Sequence, residues 1–383
     1  MKRLCRSLCL LTLSLTFTSA VVAQSMPVPV PAPPSIAAPS HILLDSGSGQ
    51  VLVERNPDER REPASLVKVM TAYVVFSEID SGHLSLSDPV IISERAWRMG
   101  GSRMFVEVNR SVSVEDLLRG VIIQSGNDAS VALAEHVAGD ERTFAQLMNQ
   151  YADQIGMQNT NFTNSTGWPD ENQYTSARDM ALLAQAMIRN FPEYYRMYSE
   201  REFTFNDITQ RNRNQLLWRD DSVDGLKTGH TSTAGYNLVT SAQRDGMRLV
   251  SVVMGTESPR ARADQSQSLL NYGFRFFQTY ELYAGGRELS RPKLWKGAED
   301  TVPVGVAESL MVTIPQRQYD NLDASMQLNT PLIAPVSQGQ QVGDVEVRLE
   351  GEVIARAPLI ALEDIAEGGF FGRMIDELWL MFQ

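Results

Sequence analysis

Cysteine is nearly missing from this chain. Among 383 residues there are two, Cys5 and Cys9, both close to the N-terminus. Lys2, Arg3 and Arg6 flank the start of an apolar run from Leu8 to Val22, which exits through Val21-Val22-Ala23. A basic start, an apolar centre and small residues at the exit describe a secretory signal peptide, with cleavage predicted after Ala23. The run is short for a bilayer core of about 30 Å, so it reads as a cleaved signal and not as a retained span. Cleavage removes both cysteines, which excludes disulfides, thiol catalysis and thiolate metal sites from an exported protein. Histidine is also scarce: His41, His83, His136 and His230 are the full set, and no two stand at metal-ligand spacing. No metal or cofactor is predicted. Basic stripes are absent too, and the formal net charge is −12. An acidic chain of this kind argues against nucleic acid as a partner.

What is present is length, enough for more than one domain, and a clear change of texture along it. Residues 1–23 are the predicted signal peptide and 24–39 a proline-rich extended linker. His41 to Leu44 and Val51 to Glu54 flank a glycine-containing turn and predict a β-hairpin. Ala64 to Ile79 is apolar and glycine-free, with Pro63 at a natural helix start. Helical stretches follow at 114–123, 129–138, 144–155 and 177–191. Strands are predicted at 236–242 and 248–254, then a helix from Ala261 to about Phe277. Strands at both ends with helices between them predict an α+β domain built on one antiparallel sheet, here 40–281. From 282 to 366 short alternating segments punctuated by Pro and Gly predict a small all-β domain. Residues 367–383 close the chain with an amphipathic helix.

Three short motifs carry chemistry. In Ser65-Leu66-Val67-Lys68 the serine and lysine stand at i and i+3, on one helix face. A serine hydroxyl is a weak nucleophile, and a desolvated amine beside it can take its proton. Burial among Leu66, Val67, Val69 and Met70 predicts a lowered Lys68 pKa. Ser125-Gly126-Asn127 lies between an apolar run and a helix. Read as a locally extended segment, it turns Ser125 and Asn127 toward a common cleft, to relay a proton and to bind a substrate amide. The same residues also suit a helix cap, with Asn127 or Asp128 on backbone N–H groups. Lys227-Thr228-Gly229 enters the strand region. On a strand Lys227 offers a fixed cation to a carboxylate, Thr228 a hydrogen bond, and Gly229 close approach of substrate to the backbone. Each motif alone also reads as an ordinary helix start, cap or turn.

Together the three match a known signature of serine acyl-transfer enzymes. The chain resembles the low-molecular-mass penicillin-binding proteins of the β-lactamase/transpeptidase superfamily that act as D-alanyl-D-alanine carboxypeptidases. The middle motif is Ser-Gly-Asn where β-lactamases carry Ser-Asp-Asn, and the third extends to His230. The likeness continues through Phe162-x-Asn164-x-x-Gly167, Ser176 to Met180, Gly273 to Phe277 and the closing Phe370-Phe371-Gly372. It implies Ser65 as acylated nucleophile, Lys68 as proton acceptor, and Ser125 and Asn127 in proton transfer and amide binding. Lys227 and Thr228 would hold the terminal carboxylate of a D-Ala-D-Ala peptidoglycan stem, with Gly229 and His230 beside it. The backbone N–H groups of Ser65 and His230 would form the oxyanion hole, and β-lactams would act as covalent inhibitors. The resemblance implies no cofactor. His230 is read as structural or substrate-side, because Lys68 already supplies a base.

The family's alternatives are a class A-like β-lactamase, a DD-endopeptidase on the same residues, and a wall-binding module without activity. No Glu-x-x-Asn deacylation segment is found; Asp170-Glu171-Asn172 has the wrong spacing. In the last segment Phe370, Phe371, Met374, Ile375, Leu378, Trp379, Met381 and Phe382 recur at helical spacing, with Arg373, Asp376 and Glu377 opposite. About 21 Å of helix is too short to cross a bilayer and fits its interface. The expected location is the periplasmic face of the inner membrane, held peripherally. Packing of this helix on the β-domain or at a dimer interface is the rival reading.

Overall fold

The computed structural model describes residues 30–381. The predicted signal peptide, both cysteines and Phe382 lie outside them.

The hairpin forms as β1 (Ser40–Asp45) and β2 (Val51–Arg55). Its partners come from far along the chain: β3 (Val223–Thr231), β4 (Gly235–Arg244) and β5 (Met247–Thr256). All five make one antiparallel sheet in the order β2-β1-β5-β4-β3. Every residue of β1 and long runs of β4 and β5 are buried. That is the pattern of strands covered on both faces. Ile42 and Leu44 enter the larger core with helices α1 (Val67–Asp80), α2 (Asn127–Ala138), α3 (Glu141–Ile155) and α4 (Ala177–Asn190). Leu43, one residue out of phase, enters a second core under α5 (Pro259–Phe276), as the period of two along a strand requires. Ten consecutive residues of α1, Val67 to Phe76, are buried. A helix apolar on all sides has to sit in the middle of a domain.

Part of the proline-rich segment is laid down on this domain. Val30 to Pro39 has no helix or strand, yet Ile36 and Ala38 are buried in the second core. Ala38 N–H donates to Gln265 Oε1 at 2.8 Å, and Tyr272 donates to the Pro31 carbonyl at 3.0 Å. These ten residues therefore pack on α5 and do not hang free.

Beyond α5 the chain enters the all-β part. β6 (Phe277–Tyr283) pairs with β8 (Leu310–Pro315). β7 (Val304–Val306), β9 (Leu322–Leu328), β10 (Gln341–Leu349) and β11 (Glu352–Ala361) form a sheet in the order β7-β11-β10-β9. Val304, Val345, Val347 and Leu359 belong to a core of its own. A polar joint meets the first domain: Thr279 donates to the buried Asp45 carboxylate at 2.7 Å, and Ser48 and Thr313 hydroxyls lie 2.6 Å apart. The chain then ends in α6 (Phe370–Leu380), none of whose residues is buried. Among the described residues, no helix is long and apolar enough to cross a membrane.

Candidate active site

The helix that carries Ser65 and Lys68 does not start as an ideal α-helix. Ala64–Leu66 is a 3₁₀ turn, Ala64 sits at φ +50°, and the α-helix proper begins at Val67. A positive φ at a residue with a Cβ is uncommon and strained. It lies one residue before Ser65, at the mouth of the site. Gly229 on β3 faces this turn: a Cβ there would stand 2.8 Å from the Pro63 carbonyl. Gly229 thus packs closely on the turn that carries Ser65, and it also lines the cleft, where the sequence expects substrate.

Lys68 is 1% exposed. Its Nζ donates to Ser65 Oγ at 3.2 Å, Asn127 Oδ1 at 2.7 Å and the Thr166 carbonyl at 2.5 Å. Burial is the main force on its pKa, lowering it to about 7, and the Arg213 guanidinium pushes the same way. Asp128 and Glu141 pull it back up. A lysine poised near neutral pH beside a serine hydroxyl is equipped to remove a proton.

Ser125 and Asn127 meet the cleft differently from the sequence reading. The segment is not extended. Ser125 ends a single π-helical turn in the left-handed region, at φ +62°, and Asn127 opens α2. The two side chains consequently join different lysines. Asn127 binds Lys68 and, through Nδ2, the Gly100 carbonyl at 2.8 Å. Ser125 Oγ accepts from Lys227 Nζ at 2.8 Å. Asp128 is fully buried, and its carboxylate accepts the N–H groups of Met104, Phe105 and Val106. It ties the loop forming one cleft wall to the start of α2, a role beyond the helix cap its position allowed.

Lys227 is 3% exposed. Burial, then Lys68, Arg213 and Arg262, hold its pKa well below the ordinary lysine range. The fixed cation expected from sequence is therefore costly to keep charged among these cationic neighbours. An incoming carboxylate would offset that cost, so binding the anion and taking up a proton at Lys227 are coupled. Neither arginine was found from the sequence. Arg213 lies in an irregular stretch without a motif, and Arg262 sits on α5, where a charged residue reads as a solvated face. Arg262 is instead buried, donating to the Gly229 carbonyl at 3.2 Å.

Ser65 opens onto a cleft of about 500 Å³ lined also by Ser125, Arg213, Thr228, His230 and Tyr236. A second hollow of about 300 Å³ joins at Ser65 and Asn127, walled by Thr166, Trp168 and Thr231. His230 is exposed and stacks on Tyr236, ring centroids 4.0 Å apart. Asp170, Glu171 and Asn172 form an exposed turn. Among the described residues, no three His, Cys, Asp or Glu side chains cluster as a metal site.

Comparison with known proteins decides the family. The family model for D-alanyl-D-alanine carboxypeptidases matches residues 28–258, and that for the penicillin-binding protein 5 C-terminal domain matches 277–367. The chain belongs to the D-alanyl-D-alanine carboxypeptidase family. It is 44% identical to D-alanyl-D-alanine carboxypeptidase DacA of Escherichia coli (strain K12), over 100% of this chain and 96% of that one. The structure of penicillin binding protein 5 from Haemophilus influenzae superposes with a TM-score of 0.84 at 46% identity, covering 88% of this chain and 99% of the other. Penicillin-binding protein D2 from Listeria monocytogenes, solved in an ampicillin-bound form, matches with a TM-score of 0.58 at 28% identity, over 62% of this chain and 98% of its own. The enzyme is a serine-type D-alanyl-D-alanine carboxypeptidase, with a transpeptidase-like α+β domain, an all-β domain and a terminal helix.

Proposed function

We propose that this carboxypeptidase removes the terminal D-alanine of peptidoglycan stem peptides through an ester on Ser65. The observation that carries the assignment is Lys68, buried and within hydrogen-bond reach of Ser65 Oγ. Neutral Lys68 takes the hydroxyl proton as Ser65 Oγ attacks the carbonyl carbon of the penultimate D-alanine. Backbone N–H groups of Ser65 and His230 receive the oxyanion; one such donor is typically worth about 2.7 to 4 kcal/mol. The C–N bond then breaks, and the leaving nitrogen takes a proton delivered through Ser125. Lys227 donates to Ser125 Oγ, which leaves the hydroxyl's own proton free to point at that nitrogen. Water hydrolyses the ester, releases the shortened stem and restores Ser65.

Lys227, Thr228 and Arg213 make a cationic end to the cleft that suits the terminal carboxylate. Asn127 orients both the base and the substrate amide. Dedicated β-lactamase turnover is disfavoured by the site's carboxylates. Asp170 and Glu171 are exposed and do not line the cleft, and Glu141 is occupied by Ser165 and Arg95. Intact mass after exposure to penicillin tests the nucleophile. Wild type gains one penicilloyl group and Ser65→Ala gains none; acylation of the variant would sink the assignment.

The enzyme acts at the periplasmic face of the inner membrane, with α6 lying in the lipid interface. Its polar side faces the β-domain: Asp376 accepts from the Lys296 N–H at 2.5 Å, and Glu377 pairs with the Lys296 ammonium. Its apolar side faces outward, with Phe370, Phe371 and Trp379 each more than half exposed. A helix tucked onto the β-domain for stability would present the opposite face. The exposed face supports shallow insertion among lipid headgroups.

A further inference from the structure

The carbonyl that takes Lys68's shortest hydrogen bond belongs to Thr166, in the segment between α3 and α4. This segment presses against the nucleophile turn: a Cβ on Gly167, at φ +81°, would lie 1.9 Å from the Ala64 carbonyl. Two supports fix its position. From within, Asn164 Oδ1 accepts the N–H groups of Thr166, Gly167 and Trp168. From below, Glu141 at the start of α3 accepts the Ser165 N–H at 3.0 Å and the Ser165 hydroxyl at 2.8 Å, both on Oε1. Its other oxygen, Oε2, accepts from Arg95 Nη2 at 2.5 Å. Thr71, one helical turn beyond Lys68, donates to the Ser165 carbonyl at 2.7 Å, so Ser165 is held on three sides.

We propose that Glu141, clamped by Arg95, is a positioning residue for the carboxypeptidase reaction: by anchoring Ser165 it aims the Thr166 carbonyl that holds Lys68 against Ser65. This rests on the assignment of Lys68 as the base. Glu141 does not line the cleft and acts through Ser165 and Thr166. Its side chain is 9% exposed while that of Arg95 is 58% exposed, so the pair reaches from the surface to the back of the site. The charge has a second consequence. Burial lowers the Lys68 pKa most; of the charged groups, Arg213 lowers it and Asp128 and Glu141 raise it, and the neighbouring Lys227 is itself lowered by Lys68. Neutralising Glu141 therefore favours the neutral amine at lower pH.

Two variants of the full enzyme separate geometry from charge. Glu141→Gln keeps an oxygen for Ser165 and removes the charge; Glu141→Ala removes both. Each is measured for second-order acylation by a fluorescent penicillin across pH, for kcat and KM on a D-Ala-D-Ala peptide, for titratable active fraction and for Tm. Glu141→Ala is expected to lose about 10- to 100-fold in kcat per active site with little change in KM, because a misplacement near 1 Å costs that much. Glu141→Gln is expected to recover most of that rate and to shift the acid limb of the acylation profile to lower pH. A limb that stays in place in Glu141→Gln, with a Glu141→Ala loss explained wholly by a lower active fraction, overturns the proposal. Lys68→Ala in parallel distinguishes the two failures. If it acylates normally, the base assignment falls and this proposal with it; if it is inactive while the glutamate variants behave like wild type, only the role of Glu141 falls.

Discussion

The catalytic cleft and the terminal helix break the usual rule of burial in opposite directions. In the cleft, two lysines are 1% and 3% exposed, whereas on α6 two phenylalanines are 69% and 75% exposed. Buried cations and exposed aromatics both cost stability in the free protein. In the proposed function each cost would fall when a complementary phase arrives, an anionic peptide end in one case and an apolar lipid layer in the other. The difference lies in how the two regions are held. Lys68 and Lys227 are fixed by hydrogen bonds from several elements, as chemistry on defined atoms requires. The apolar face of α6 needs only to point outward, because hydrophobic contact has no direction.

Substitutions in the two regions should therefore fail in different ways. The largest effect is expected for Lys68→Ala, a loss of about 10²- to 10⁴-fold in the acylation rate constant, the usual worth of a positioned base. In wild type that rate should climb with pH through about 7, as Lys68 sheds its proton. A stopped-flow profile lacking this acid limb would break the contrast on the cleft side. Lys227→Ala should cost about 10- to 100-fold in kcat/KM, the range for a hydrogen bond to a charged group, with most of it in KM. On the proposed role of Lys227 as the carboxylate's cation, and with its pKa held down by burial and by Lys68, Arg213 and Arg262, KM for the wild type should rise with pH. The variant should flatten that rise, which steady-state assays over pH would show. The smallest change is expected from Trp379→Ala. Losing one large apolar side chain should weaken partitioning onto lipid vesicles by about tenfold and leave kcat unchanged. Unaltered sedimentation with vesicles would break the contrast on the helix side.

Particular residues show how far the sequence could be read. Ser65 and Lys68 were legible as a pair because i and i+3 share a helix face whatever the rest of the chain does. The hairpin at β1 and β2 and the strands β4 and β5 were legible from local alternation and turns. Asn127 was legible, but its geometry was not: no local pattern marks the π-helical turn before Ser125, whose flanking Gly120 and Gly126 both lie against Met104. Arg213 and Arg262 were missed because an isolated arginine has the same appearance in sequence whether it is solvated or lines a cleft. Glu141 drew no notice in the sequence, because the predicted helix begins at 144; in the structure it is the first residue of α3.

By itself, then, the sequence determined the chemistry available. A serine and an amine share one helix face, a further hydroxyl, amide and cation follow, the cysteines sit only in the predicted signal, and an amphipathic segment closes the chain. These are properties of composition and short spacing. Tertiary structure alone decided which groups meet. The bonds from Lys68 to Asn127 and Thr166 span 59 and 98 residues, and that from Lys227 to Ser125 spans 102. It also decided that both lysines are buried beside other cations, and so where their protons go. The physical reason is that a pKa and a hydrogen bond depend on what surrounds a group in space. In the folded protein those surroundings are set by packing between segments far apart in the chain.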